Sequence, residues 1–171
     1  MQDRSMEAAA ALLREGSYSA VAWAFEASDD DGEPPVVAWI RDGALDDPAL
    51  VAEALTCACW HGRSDVATFL LDRGVDPAAG TGGTGTDALG WAANRGHLDV
   101  VRLLIARGAP LETRNAWNAT PLGFTVWSAV HEPQPAHAAI ADALLDAGAR
   151  VTEARYPSGD AAMDAVLARY R

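Results

Sequence analysis

The sequence repeats itself with a period of roughly 33 to 34 residues, and this period restricts the folds open to the chain more than any other feature. The same offset separates three pairs of equivalent positions: Leu55 and Leu89, Gly62 and Gly96, and Gly74 and Gly108. A third copy follows, opened by Leu122 and closed by Gly148, with seven extra residues between them. These fall in "AVHEPQPAH", whose prolines predict a loop. Such a period predicts repeats that stack to bury a shared apolar core.

Each copy holds two apolar segments of helical spacing. The segments "GRSDVATFLLDRGVDP" at 62–77, "GHLDVVRLLIARGAPLE" at 96–112, "TPLGFTV" at 120–126 and "ALLDAGARV" at 143–151 resemble the ankyrin repeat, a turn and two helices opened by a T-P-L-H pattern. Gly90 and Gly123 stand where this pattern has His, so the hydrogen bonds around that His must be made differently or not at all. The resemblance implies an all-α solenoid of stacked helix-turn-helix repeats with helical caps.

The period divides the chain into one solenoid domain over residues 1–171. We expect an N-terminal half-cap at about 5–16 and a degenerate repeat at about 17–45, which carries the acidic insertion "DDDGEPP" between its two helices. Regular repeats follow at about 48–78, 82–111 and 115–151, and a C-terminal capping helix is predicted at about 158–170. The terminal repeats are expected to be atypical because they present one face to water.

The net charge of −11, from 13 basic and 24 acidic residues, restricts the choice of partners. It disfavours nucleic acid and membrane surfaces and favours a basic partner. All 13 basic residues are Arg, which together with abundant Ala, Gly and Asp is typical of GC-rich bacterial genomes. The N-terminus does not read as a signal peptide and no apolar stretch is long enough to span a membrane, so we expect a cytoplasmic monomer.

The stretch "AAGTGGTGTDALG" at 78–90 places Gly80, Gly82 and Gly85 in the G-x-G-x-x-G spacing of dinucleotide-binding loops. That motif requires a preceding strand and a later acidic residue for the ribose, whereas here a helical pattern precedes the glycines. We therefore expect no nucleotide and no other cofactor. The glycines are instead interpreted as a mobile finger that joins two repeats.

Few residues could support catalysis. Cys57, Cys59 and His61 superficially resemble a metal cluster, but only Cys57 and His61 share a helical face, so small buried thiols are the favoured interpretation. His97 resembles the turn histidine of the family. His131 and His137 flank the proline-rich insertion and are expected to be solvated. We therefore expect neither a metal site nor enzymatic activity.

The six tryptophans fall into two groups by their place in the repeat. Trp23, Trp39 and Trp91 occupy positions expected to pack into the core. Trp60 and Trp127 occupy a position that faces the concave groove of ankyrin repeats, and Trp117 lies near a finger tip, where partners of this family bind. The predicted partner-binding set is Trp60, His61, Asn94, Arg95, Trp117 and Trp127.

These observations favour a non-catalytic protein-binding module that uses its concave groove and fingers. One alternative is an immunity or antitoxin-like protein that neutralises a basic toxin, which the small chain, the bacterial composition and the net charge of −11 suggest. A second alternative is a small-ligand protein or enzyme with a pocket formed by Trp60, His61 and Trp127.

Overall fold

A computed structural model describes residues 3–27 and 32–171 of the chain. Within these ranges the backbone forms α-helices, two short 3-10 helices at Ala22–Ala24 and Val151–Glu153, and no strand. The α-helices are α1 (Met6–Arg14), α2 (Pro35–Arg41), α3 (Pro48–Trp60), α4 (Ser64–Asp72), α5 (Ala88–Asn94), α6 (Leu98–Ala106), α7 (Pro121–His131), α8 (His137–Asp146) and α9 (Ala161–Ala168). The prediction of an all-α fold is confirmed. No helix in the described ranges is both long and apolar enough to cross a membrane.

Polar caps fix where the first helix of each regular repeat begins. The side chains of Asp47, Asp87 and Thr120 precede α3, α5 and α7, and each accepts the N–H of a residue two or three positions later at 2.9–3.2 Å. Pro48 and Pro121 occupy the first helical position of α3 and α7, where a missing N–H costs no helical hydrogen bond. The boundaries of these helices therefore follow from local sequence.

The helices stack in two rows. The first helices α3, α5 and α7 pack side by side in one row, and the second helices α4, α6 and α8 form the other. The leucines at equivalent positions of the two rows are buried, with at most 1% of their surface exposed: Leu55, Leu89, Leu122, Leu70, Leu104 and Leu144. At the ends of the stack, α1 packs on α3 and α9 packs on α8. The helix pairs lie within the repeat ranges expected from the sequence, although the division into repeats stays a prediction.

Three histidines join neighbouring repeats, because each ring makes a hydrogen bond to a backbone carbonyl of the repeat that precedes its own. The Nε2 atoms of His61, His97 and His137 lie 2.8, 3.1 and 2.9 Å from the carbonyl oxygens of Tyr18, Trp60 and Asn94, respectively. The N–H of Gln134 donates to Nδ1 of His137 at 3.2 Å, so Nε2 of this ring carries the proton donated to Asn94. Burial lowers the pKa of both His61 and His137.

The expectation that His131 and His137 are both solvated is wrong for His137. His131 is exposed, but His137 is the first residue of α8 and only 2% of its surface is exposed. A sequence signal for this position exists, because the offset from His97 to His137 equals the offset from Gly108 to Gly148. The insertion therefore ends before His137.

The glycine-rich segment 80–85 is held by a carboxylate of the preceding repeat. Glu53 of α3 accepts the N–H groups of Thr81 and Gly82 at 3.0–3.2 Å, and the hydroxyl of Tyr18 donates to the same carboxylate at 2.5 Å. Burial, reinforced by Glu53, raises the pKa of Tyr18. Consecutive backbone N–H groups make an anion-binding nest, and here the nest binds the protein's own side chain.

Close approach of other parts of the chain explains two of the glycines of this segment. A Cβ atom at Gly80 would lie 2.4 Å from the carbonyl oxygen of Ala52, and one at Gly82 would lie 2.7 Å from the hydroxyl oxygen of Tyr18. Gly82 also has a φ of +54°, which disfavours other residues. Gly80 and Gly82 therefore have a packing role that the sequence interpretation of a mobile finger did not include.

The degenerate repeat departs from its predicted pair of helices. Its first helix is reduced to the 3-10 helix Ala22–Ala24, and α2 provides the second. The short turn brings Tyr18 to both Glu53 and His61, two contacts with the next repeat. The acidic run Asp29, Asp30 and Asp31 of the predicted insertion lies outside the described residues.

Candidate functional site

A groove of about 850 Å³ lies across α5 and α7. Its walls also include the end of α3, the loop before α7 and the segment that follows α8. Five large aromatic side chains line it: Trp60, Trp91, Trp117, Phe124 and Trp127. Trp117 and Trp127 are 65% and 46% exposed, and Val130 beside them is 42% exposed. An exposed apolar cluster of this kind is typical of an interaction site.

Phe124 connects the aromatic rings of the groove. Its ring centroid lies 5.9 Å from that of Trp91, 6.2 Å from that of Trp117 and 6.2 Å from that of Trp127. Trp127 in turn stacks on His131 with a centroid distance of 4.4 Å and an interplanar angle of 11°. Trp91, Trp117, Phe124 and Trp127 therefore form a continuous aromatic surface.

The loop before α7 holds Trp117 in an exposed position. The side-chain oxygen of Asn115 accepts the N–H groups of Trp117 and Ala119 at 3.1 and 3.0 Å. Asn118 adopts a φ of 61°, which asparagine tolerates better than most residues, and its carbonyl accepts a hydrogen bond from Arg114 at 2.8 Å. The loop therefore fixes the backbone of this tryptophan before any partner binds.

The charged side chains of the groove differ in whether they are already paired. The guanidinium of Arg95 lies 4.3 Å from the centroid of the Trp60 ring, and Arg155 is exposed. Neither arginine makes an ion pair within residues 3–27 and 32–171. Glu153 is paired with Arg114 at 2.6 Å, whereas Glu132 makes no ion pair in the same described ranges.

The structure brings five of the six residues of the predicted partner-binding set into this groove: Trp60, Asn94, Arg95, Trp117 and Trp127. Asn94 is only 5% exposed, and its side-chain N–H donates to Ser128 of α7 at 2.7 Å, which joins two repeats. His61 does not line the groove. Its ring stacks on Phe25 at a centroid distance of 6.0 Å and bonds to Tyr18, so it has a structural use.

Sequence reasoning missed Phe124 and placed Trp91 in the core. Trp91 is half-buried and packs against the core as expected, but it also lines the groove. A signal for Phe124 was present, because the offset from Trp91 to Phe124 equals the offset from Leu89 to Leu122. The two aromatic rings are therefore equivalents in adjacent repeats, which places them side by side.

A second, much smaller cavity of about 10 Å³ lies beside Gly90, where the family pattern has His. Asp87, Thr86, Thr113 and Asn115 are among its lining residues. The hydroxyl oxygen of Thr86 is buried without a hydrogen-bond partner in the described chain, and burial raises the pKa of Asp87. The cavity is too small for a metabolite.

The cysteines offer no reactive thiol. Cys57 and Cys59 are fully buried in α3, and burial raises the pKa of both. In the part of the chain that the structure describes, no three His, Cys, Asp or Glu side chains are grouped so as to hold a metal ion.

Comparison with known proteins places these features in a family. Residues 57–155, more than half of the chain, match the family model for ankyrin repeats in three copies. The chain is also 38% identical over 71 residues to the human protein "Ankyrin repeat and KH domain-containing protein 1". That match covers 42% of this chain and 3% of the human protein.

Proposed function

Because the chain belongs to the ankyrin-repeat family, whose repeats are generally protein–protein interaction modules, we propose that it binds a protein partner through the groove on α5 and α7. The observation that carries the proposal is the exposure of Trp117 and Trp127 side by side with Phe124 in one groove. Tryptophan is the residue most enriched where truncation costs binding energy.

Within this proposal Trp60, Arg95, Trp117 and Trp127 contact the partner, joined by Phe124. Asn94 and His61 act by holding the repeats in place, through their bonds to Ser128 and Tyr18. The protein is proposed to act as a non-catalytic, cytoplasmic monomer that binds neither nucleic acid nor membranes, in keeping with a family that is typically non-enzymatic.

The alternatives have less support. Neutralisation of a basic toxin rests on the net charge of −11, whereas Arg95 and Arg155 of the groove repel a basic surface. A ligand pocket formed by Trp60, His61 and Trp127 conflicts with the position of His61, which lies outside the groove.

The test is a capture experiment from a lysate of the source organism with three forms of the protein. The Trp117→Ala/Trp127→Ala double variant removes the two exposed rings, and Phe69→Ala removes a half-buried aromatic ring of α4 that does not line the groove. A genuine groove partner is captured by the wild type and by Phe69→Ala but lost with the double variant. We expect each tryptophan to contribute about 2 kcal/mol or more to binding.

The captured protein is then purified and bound to the wild type while amide hydrogen exchange is followed. Protection concentrated in α7 and in the loop before it supports the proposal. Equal capture by all three forms, or protection confined to the second helices α4, α6 and α8, would contradict it.

A further inference from the structure

The groove carries free positive charge in a protein that is acidic as a whole. Six arginines each make an ion pair with a carboxylate: Arg41, Arg63, Arg107, Arg114, Arg150 and Arg169. Arg95 and Arg155 line the groove and make none within the ranges that the structure describes. Glu153 is already paired with Arg114. The charged side chains of the groove that make no ion pair in the described ranges are therefore two arginines and one carboxylate, that of Glu132.

The two arginines follow different elements that both pack on α7. Arg95 follows α5 and reaches back over Trp60 of α3. Arg155 follows the 3-10 helix Val151–Glu153, which packs on α7. The aromatic cluster of Trp117, Phe124 and Trp127 belongs to α7 and the loop before it, so it lies on the element that α5 and the 3-10 helix both contact.

We infer that the groove binds a peptide segment of the partner in which a large apolar side chain is flanked by Asp or Glu residues. This inference rests on the proposed function and names the chemistry of its ligand. The apolar side chain contacts the aromatic cluster, and the flanking carboxylates pair with Arg95 and Arg155, each of which can form two parallel hydrogen bonds to a carboxylate.

The same groove chemistry, aromatic rings with arginines, also suits single-stranded nucleic acid. The whole-protein charge of −11 argues against it, because a nucleic acid carries a charge at every phosphate, whereas a peptide needs only a few carboxylates at the two arginines. A peptide segment is therefore the favoured occupant, and nucleic acid becomes an outcome of the test.

The experiment selects a random-peptide library on the wild-type protein and removes peptides that also bind Trp127→Ala. Enriched peptides are synthesised, and their affinities for wild type, Arg95→Gln, Arg155→Gln and Arg102→Gln are measured by fluorescence anisotropy. Arg102 is an exposed arginine of α6 outside the groove, so its variant makes the same charge change elsewhere. A polyuridine oligonucleotide is measured in parallel, and thermal melts confirm that each variant is folded.

We expect enriched peptides to carry acidic residues on both sides of a large apolar residue. Affinity should fall about tenfold for Arg95→Gln and for Arg155→Gln, and should be unchanged for Arg102→Gln. Enrichment of basic or uncharged peptides whose affinity is the same for wild type, Arg95→Gln and Arg155→Gln would overturn the inference. It would leave the proposal of groove binding intact. If no peptide depends on Trp127, the proposed function itself fails. Tighter, Trp127-dependent binding of polyuridine would overturn the choice of a peptide.

Discussion

At the scale of single residues, Glu53 joins three parts of the chain outside the apolar core. It looks like an ordinary helix-surface glutamate in the sequence, yet its carboxylate joins Tyr18 of the degenerate repeat to the backbone at Thr81 and Gly82. Sequence reasoning could not find this contact, because no periodic pattern links a half-buried glutamate to a glycine-rich loop in the next repeat.

Replacing Glu53 with Gln should lower the free energy of unfolding by about 1–3 kcal/mol, because the uncharged amide offers one acceptor oxygen in place of two. Urea unfolding measures the change. Glu15→Gln, at an exposed position after α1, is the matched control and should change stability by less than about 0.5 kcal/mol. Equal effects of the two substitutions would contradict the assigned role of Glu53.

The buried histidines should make stability depend on pH. The folded-state pKa values of His61 and His137 lie below the unfolded value of about 6.5, so the unfolded chain binds protons first as the pH falls. Their contribution is complete above about pH 6.5 and is lost as the pH falls through the folded pKa values. Arg95 also lowers the pKa of His61, whereas Asp160 and Glu132 partly offset the lowering at His137.

Urea unfolding at about pH 7.5 and about pH 5.5 tests this linkage. The loss of stability between the two pH values should be smaller in His137→Gln than in wild type and unchanged in the exposed variant His131→Gln. The comparison between variants is needed because Asp87, whose pKa burial raises, acts in the opposite direction. An identical loss in all three proteins would argue against a titrating His137.

At the scale of helices, the sequence predicted the helix pairs of α3 to α8 because leucine positions recur with the period. It failed where tertiary contacts override the local pattern. The first helix of the degenerate repeat is reduced to the 3-10 helix Ala22–Ala24. The loop predicted between α7 and α8 ends one residue before His137, because the His137 side chain bonds to the carbonyl of Asn94. For the groove, the period predicted the positions of Trp60 and Trp127 but not the contacts that make Phe124 its centre.

Helix α7 should tolerate substitutions very differently on its two faces. Leu122→Ala leaves a cavity in the core and should cost about 2–5 kcal/mol of folding stability, since the side chain is 1% exposed. Trp127→Ala removes a ring that is 46% exposed and should cost less than about 1 kcal/mol. Chemical denaturation of the free proteins measures both values. A loss at Trp127 as large as that at Leu122 would assign this ring to the core instead of the groove.

At the scale of the whole molecule, the charge of the groove and the charge of the protein have opposite signs. The net charge of −11 acts on a ligand that is still distant, whereas Arg95 and Arg155 act on a ligand that is bound in the groove. Screening by salt distinguishes the two interactions, because it weakens those between charges separated by more than the Debye length, roughly 8 Å at physiological ionic strength. Salt should therefore affect the approach of a ligand differently from its final contacts.

An acidic peptide selected on the groove should associate faster as salt is added from low to physiological ionic strength, because screening weakens long-range repulsion. Stopped-flow tryptophan fluorescence measures the association rate, and an uncharged version of the same peptide should show little change. An association rate that falls with salt would contradict this expectation, because it would mean that attraction to Arg95 and Arg155, and not repulsion by the net charge, governs the approach.

The insertion between α7 and α8 has an evolutionary consequence. The chain leaves the stack after His131 and rejoins it at His137, which bonds to the preceding repeat as if no residues had been added. Substitutions at the exposed loop positions Glu132, Pro133 and Pro135 are therefore expected to have little effect on folding, whereas Gln134 bonds to His137. Since His131 and Glu132 border the groove, descendants of this gene can change what they recognise here while inheriting the scaffold unaltered.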